Sequence, residues 1–341
     1  MSPSQTIDFV IPWVDGSDPA WQAEFYRTCV TEDSDGRVCR YRDWDLLRYW
    51  FRGVEKYTPW VNQIHFITWG HLPDWLNTAH PKLHVVKHTD YIPKEYLPTF
   101  SANTIELNMH RIEGLSQRFV YFNDDMFLLR SLPPEAFFDQ GLPCDSAILS
   151  PIYTGYLADG NEDGRIFYFS YNDLQYLNRQ YNKRQCVRSA PLKWFNPHYG
   201  INLLRNILLS PWPNFVGIVD THLPQPFLKS SFDKAWQDAA DILHETCSHP
   251  VRTDHDVNQW FVRYRQLAEG CFTPRKPLLG ASFCIRPENQ SMEEYIRTQK
   301  KAMICINDTS LPKECAEAAK RGLQAAFDSI LPEKSSFERI S

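Results

Sequence analysis

The chain predicts an α/β fold built on a mostly parallel sheet with both faces covered. Two observations carry this. Short apolar runs rich in Val, Ile and aromatics alternate with helical patterns over the first ~130 residues, and turn residues bound most of the runs. The runs at 8–14, 63–68, 83–87 and 118–122 read as buried strands. Between them, residues 43–57 bring Leu46, Leu47, Tyr49, Trp50, Phe51 and Val54 among charged residues, and Pro59 stops the helix. Residues 103–112 carry Ile105, Leu107, Met109 and Ile112 ahead of Gly114. Strand–helix–strand alternation of this kind builds parallel sheets. Such sheets bind ligands outside the C-terminal ends of their strands, which is where acids should be sought.

The rest is less regular. Residues 151–212 are rich in Tyr, Asn and Arg, with turn signals at 159–164, and fit a cap over a site, a substrate-binding segment or a plain surface insertion. Helical periodicity returns at 232–244 and 256–267. Residues 313–330 are amphipathic, with Leu323, Ala326, Phe327 and Ile330 on one side. Docking on the domain is the simplest use of that face, a partner chain or a membrane surface the others.

Composition narrows the function. The 341 residues carry 36 Lys+Arg against 41 Asp+Glu, so a general nucleic-acid binder with its basic stripe is not expected. Apolar residues at 43% and charged residues at 23% fit a foldable chain. No run approaches a membrane span, and the polar start with Asp8 argues against a signal peptide. The nine cysteines form no C-x-x-C pair and read mostly as small buried hydrophobes in a reducing cytosol.

Five groups of residues could carry chemistry. The first strand runs into Asp15-Gly16-Ser17-Asp18-Pro19, which fits a ligand site or an ordinary capped turn. The fourth ends in Asn123-Asp124-Asp125. Adjacent carboxylates repel unless a cation or donors compensate, and hard divalent metals take such oxygens together with phosphates. Arg48 and Arg52 stand at i, i+4, suiting phosphate or simple solvation. His222 sits in a Pro-bounded loop where a histidine can titrate near neutrality. Arg252 and Asp256 bracket a helix start, which favours anions. G-x-G-x-x-G, Walker, H-E-x-x-H and G-x-S-x-G motifs are all absent.

Four blocks together resemble the Stealth family of sugar-phosphate transferases. The first runs from Ile7-Asp8-Phe9-Val10 to Trp13-Val14-Asp15-Gly16-Ser17-Asp18-Pro19. The second begins at Arg42-Asp43-Trp44-Asp45-Leu46-Leu47-Arg48-Tyr49 and passes through Ile105-Glu106 and His110-Arg111-Ile112 to Asn123-Asp124-Asp125. The third holds His222-Leu223-Pro224 with Arg252 and Asp256, and the fourth is Cys305-Ile306-Asn307-Asp308. Trp44 stands where the family commonly has Asn, and Ile11-Pro12 replaces a more usual aromatic-Thr pair.

The resemblance implies a Rossmann-like or GT-A-like sheet with a helical C-terminal part, in one catalytic unit spanning 1–341. Within it, 1–150 would be the nucleotide-sugar and metal half and 151–215 an acceptor or lid region. Residues 216–310 would complete the active site, and 311–341 would form the C-terminal helix. It implies transfer of a sugar 1-phosphate from a UDP-sugar to a sugar or growing polysaccharide, releasing UMP. The setting would be bacterial capsule or surface-polysaccharide synthesis, in the cytoplasm or peripherally at the inner face of its membrane, with an acceptor that could be lipid-linked. Mg²⁺ or Mn²⁺ would be held by Asp124, Asp125 and Asp308, with Asp15 sharing that duty or orienting the nucleotide. His222 would be the base and Arg252 the phosphoryl clamp. Arg48, Arg52, Asp18, His110, Arg111, Asp256 and Asn307 would contribute to substrate binding. Two rivals remain at this point: a glycosyltransferase releasing UDP, and a non-catalytic carbohydrate-binding protein.

Overall fold

The computed structural model describes residues 6–29, 41–152, 166–277, 279–309 and 311–339. Its strands in chain order are β1 (Ile7–Trp13), β2 (Ile64–Thr68), β3 (Leu83–Lys87), β4 (Arg118–Tyr121), β5 (Met126–Leu128), β6 (Phe138–Asp139), β7 (Leu142–Asp145), β8 (Gln225–Leu228), β9 (Thr273–Pro274), β10 (Gly280–Cys284) and β11 (Met303–Asn307). The central sheet has the order β3-β2-β1-β4-β8. β1 to β4 are parallel, and β8 runs antiparallel at the edge beside β4. The fold is thus mixed α/β.

Side chains of β1 alternate across the sheet as the pleat requires. Phe9, Ile11 and Trp13 join Trp50, Phe51, Val54, Phe66 and Phe122 in one core layer. Val10 faces the other way, with Ile67, Val86, Phe119, Leu107, Phe232 and Phe261. Both faces are therefore covered. The second layer comes from the helices Ala102–Leu107, Lys229–Asp238 and Gln259–Ala268.

Several local features differ from the sequence reading. The helix expected over 43–57 occupies Leu47–Tyr57. Ahead of it the Asp43 carboxylate accepts the Asp45 N–H at 2.7 Å, and Asp45 adopts φ 52°, a turn that competes with helix. The helix expected over 103–112 stops at Leu107, where the buried Asn108 amide donates back to the Thr104 carbonyl at 2.8 Å. The single helix expected over 232–244 is two helices, Lys229–Asp238 and Ala240–Ser248, broken at the non-helical Ala239.

The middle segment is more ordered than a surface insertion. The turn signals at 159–164 lie outside the described residues. Beyond them, the helix Ile166–Gln180 buries Leu174 and Leu177 in a third core with Tyr264, Leu267 and Trp194. The part expected to be helical also contributes strands: β10 and β11 are parallel neighbours, and β11 pairs antiparallel with β5. The helix Lys313–Asp328 docks on the first core through Leu323, Ala326 and Phe327, with Phe327 stacked on Tyr49 at 5.2 Å. Just past it, Glu338 accepts two hydrogen bonds from Arg52, at 2.8 and 2.9 Å.

Candidate active site

A cleft of about 830 Å³ opens at the C-terminal ends of β1 and β4. Topology fills it. β4 ends at Tyr121, so Asn123, Asp124 and Asp125 fall at its mouth. β8 is antiparallel and places Gln225 opposite Tyr121, so His222, three residues earlier, arrives beside Asp125. His222 Nε2 lies 3.5 Å from Asp125 Oδ2. β11 pairs Cys305 with Met126, and the Ile306 N–H donates to the Asp125 carbonyl at 2.8 Å. That register delivers Asn307 and Asp308 to the same mouth. Arg252 enters from the loop ahead of the helix Gln259–Ala268.

Electrostatics follow from this crowding. Among the lining residues are five carboxylates (Asp43, Asp124, Asp125, Asp220 and Asp308) against Arg42, Arg205 and Arg252. Asp124 faces the open cleft, yet desolvation by the surrounding wall, then the charges of Asp125 and Asp43, push its pKa up to about 7. Asp220 is pushed up to about 6 by burial, even though Arg263 Nη1 donates to it at 2.5 Å and Tyr264 at the same distance. For His222, burial lowers the pKa, but the hydrogen bond and charge of Asp125 outweigh it and the net shift is upward. His222 also sits at φ 44°, a left-handed conformation unusual for a non-glycine and common at functional sites. Arg252 makes no hydrogen bond or ion pair among the described residues. Its loop is braced by Asp256, which is fully buried and accepts from Thr253 N at 2.9 Å, Thr253 Oγ1 at 2.7 Å and His249 at 2.7 Å.

One cluster of donor atoms among the described residues could hold a metal. Asp125, His222 and Cys305 offer ligand atoms all within 4.8 Å of one another. The all-oxygen set expected from the sequence, Asp124, Asp125 and Asp308, lines the same cleft, but its carboxylates do not all come within that distance of one another. Asp125 Oδ1 and Asp308 Oδ2 are buried without a hydrogen-bond partner among the described residues. A buried carboxylate oxygen left bare is costly unless a cation takes it, so these residues fit a divalent ion.

The sequence-predicted residues divide by position. Asp124, Asp125, His222, Arg252, Asn307 and Asp308 line the one cleft. Asp15 follows its rim residue Val14, bonded through its backbone N–H to His71 at 2.7 Å and through Oδ1 to Ser17. Asp18 caps the helix Pro19–Thr28 by accepting from Ala20 N and Trp21 N. Arg48 ion-pairs with Asp45 at 3.3 Å and lies over Trp75. Arg52 is buried on Glu338 and the Leu331 carbonyl, away from the cleft. His110 and Arg111 pack against Trp236 in the second core layer. Asp256 braces rather than lines.

The cleft also contains residues to which sequence reasoning gave no role. Arg42 ion-pairs with Asp308 at 3.4 Å, and Asp43 acts on Asp124. Both stand in the second matched block, which was the available signal. Cys305 opens the fourth block, whereas Asp220 had no signal, because only the β4–β8 pairing brings it in. Glu106 is buried beneath Arg252, accepting from Tyr121 at 2.9 Å.

His110 gives a stability prediction. Burial, then the charges of Arg111 and Lys229, push its pKa from 6.5 down to about 3. The unfolded chain binds a proton below pH 6.5 that the folded chain refuses until about pH 3. The group therefore costs stability as pH falls through that window, about 1.4 kcal/mol per pH unit, and has no effect above it. His110→Gln should flatten the fall of urea-unfolding midpoints across the window; an unchanged slope would acquit His110.

The chain matches models of the Stealth protein conserved regions 1 (residues 5–24), 2 (40–144) and 4 (294–341). It is 37% identical to the capsular polysaccharide phosphotransferase WcwK of Streptococcus pneumoniae, over 99% of this chain and 100% of that one. It is 38% identical to the exopolysaccharide phosphotransferase cps2G of Lactiplantibacillus plantarum, over 98% and 96%. With the receptor polysaccharide phosphotransferase WefC of Streptococcus oralis it shares 37%, over 97% and 99%. Three matched regions and near-full-length identity to polysaccharide phosphotransferases mean that the chain belongs to the Stealth family.

Proposed function

We propose that the protein transfers a sugar 1-phosphate from a UDP-sugar to a hydroxyl of a sugar or growing polysaccharide, releasing UMP, in capsule or exopolysaccharide synthesis. The observation that carries this is the imbalance of five carboxylates against three arginines in a cleft at the strand ends. A nucleotide diphosphate is itself anionic, so such a wall accepts it only together with a divalent cation. A sheet of Rossmann-like or GT-A-like kind, with its acids at the C-terminal edge, suits that donor. The names of the relatives favour phosphotransfer over glycosyl transfer.

Mg²⁺ or Mn²⁺ on Asp124, Asp125 and Asp308 would supply neutralisation of the diphosphate. His222 takes the proton of the acceptor hydroxyl, with Asp125 orienting the ring. The acceptor oxygen forms the new bond to the β-phosphorus, and the bond from that phosphorus to the oxygen bridging to UMP breaks. The anomeric C–O bond stays intact. Arg252 gathers charge on the equatorial phosphoryl oxygens. Arg42 ties the rim to Asp308, while the charge of Asp43 helps keep the Asp124 pKa high. In this reading residues 1–150 provide the donor half, 151–215 the acceptor wall and 216–310 the base and clamp. Residues 311–341 serve as the docked helix, and the acceptor is carried on lipid at the inner face of the cytoplasmic membrane.

The test is nucleotide release. Purified protein with Mg²⁺, a panel of UDP-sugars and sugar acceptors should yield UMP that requires both acceptor and metal. EDTA should abolish it and added Mg²⁺ or Mn²⁺ restore it. UDP in place of UMP would make the protein a glycosyltransferase and overturn the reading.

A further inference from the structure

We propose that residues 183–212 form a surface that docks on an anionic lipid bilayer beside the mouth of the cleft. The observation is an apolar, basic face on an acidic protein. Leu192 is 80% exposed, Leu208 72%, Trp212 54% and Leu204 52%, and these with Ile201 and Ile207 make up six of the eight large hydrophobics exposed among the described residues. Scattered exposed apolar residues are ordinary, but six within 21 residues of one segment are a patch.

Charge selects the occupant. From residue 174 to residue 219 the chain holds six Lys and Arg and not one Asp or Glu, although the whole protein is at -5. Arg184, Arg188 and Arg205 are exposed. Arg184 bonds the Pro211 carbonyl at 3.2 Å, next to Trp212. Between the helices Lys183–Ser189 and Leu203–Leu209 lies a cavity of about 360 Å³ lined by Lys183, Arg184 and Arg188, with no acid in its wall. Leucines and a tryptophan for the acyl boundary, ringed by arginines for phosphate headgroups, form the pattern of an interfacial membrane contact. A second copy of this chain would put the same basic faces together, which repels.

The placement matters for the reaction. Arg205 sits on the helix that presents Leu204, Ile207 and Leu208, and it also lines the cleft, bonding Ser150 at 3.3 Å. A bilayer on this face would hold a lipid-borne acceptor at the cleft mouth; that last step rests on the proposed activity, the surface itself does not. The amphipathic stretch legible in the sequence, residues 313–330, is instead spent on the core.

Full-length protein is mixed with phosphatidylglycerol vesicles or phosphatidylcholine vesicles and sedimented, with no donor or acceptor present. Binding should appear with the anionic vesicles only and weaken as salt rises. The exposed double variants Leu204→Asp/Leu208→Asp and Arg184→Glu/Arg188→Glu, checked for unchanged melting, should each bind on the order of tenfold less. Equal binding to both vesicles, no binding, or variants that bind like wild type would overturn the proposal. A dimer that Leu208→Asp converts to monomer would give the face to a second copy instead, and retention of inorganic phosphate without vesicle binding would reduce it to an anion pocket. Because no turnover is read, a failed nucleotide-release assay leaves this result standing.

Discussion

Replacing Arg252 by alanine is expected to lower kcat by about 10³-fold, with Arg252→Lys recovering only part of the loss. Arg252 is a cleft cation with no partner among the described residues, near enough to Asp124, Glu106 and His222 to act on their charge. Holding it unpaired takes structure. Asp256 spends its own carboxylate on Thr253 and His249 and leaves the arginine free. A charge kept in readiness this way helps little in binding the acceptor sugar, but helps greatly when negative charge spreads over the transferring group. Lysine keeps the charge and loses the two-pronged donor geometry. Steady-state UMP release checks both variants, and an alanine variant with wild-type kcat would remove Arg252 from the reaction.

Asp125→Asn should be at least as damaging, about 10³-fold or more in kcat, because one carboxylate serves three partners. It belongs to the donor cluster with His222 and Cys305 and to the expected metal set with Asp124 and Asp308, and it lies 3.5 Å from His222 and holds that ring's pKa up. The amide is nearly isosteric, so the fold should survive, and circular dichroism melts provide the control. Calorimetric titration with Mn²⁺ separates the two duties. Lost Mn²⁺ binding together with lost turnover assigns the residue to the metal, whereas retained binding with lost turnover assigns it to the histidine. Full activity in Asp125→Asn would falsify both.

The strands were the most legible part of the fold, since their residues need only local apolar runs. The central four strands fall within one or two residues of the expected bounds. The carboxylates of Asn123-Asp124-Asp125 could be located because a parallel sheet puts strand ends at the ligand edge, and β4 lies beside β1. Arg52 shows the limit. Its i, i+4 spacing with Arg48 suggested a shared ligand, but its partner is Glu338, 286 residues away, and no local pattern encodes that pairing. His110 and Arg111 likewise stand in a matched block, yet they pack on Trp236 in the second core layer and do not line the cleft. Asp220 and Cys305 were hidden for the opposite reason. Each stands beside residues singled out in the sequence, but its own place in the cleft depends on an antiparallel pairing.

The β5–β11 pairing has a consequence for synthesis of the chain. Asp125 emerges from the ribosome some 180 residues before Cys305, its neighbour across that ladder, and Arg52 waits longer still for Glu338. A polypeptide stalled between residues 222 and 303 would have Asp124, Asp125 and His222 but neither Asp308 nor the strand that carries it, nor Glu338, the partner of Arg52 on the helix Leu47–Tyr57. Translation itself thus acts as the last assembly step, and a genetically split version should regain turnover only when the 303–339 fragment is supplied alongside the rest.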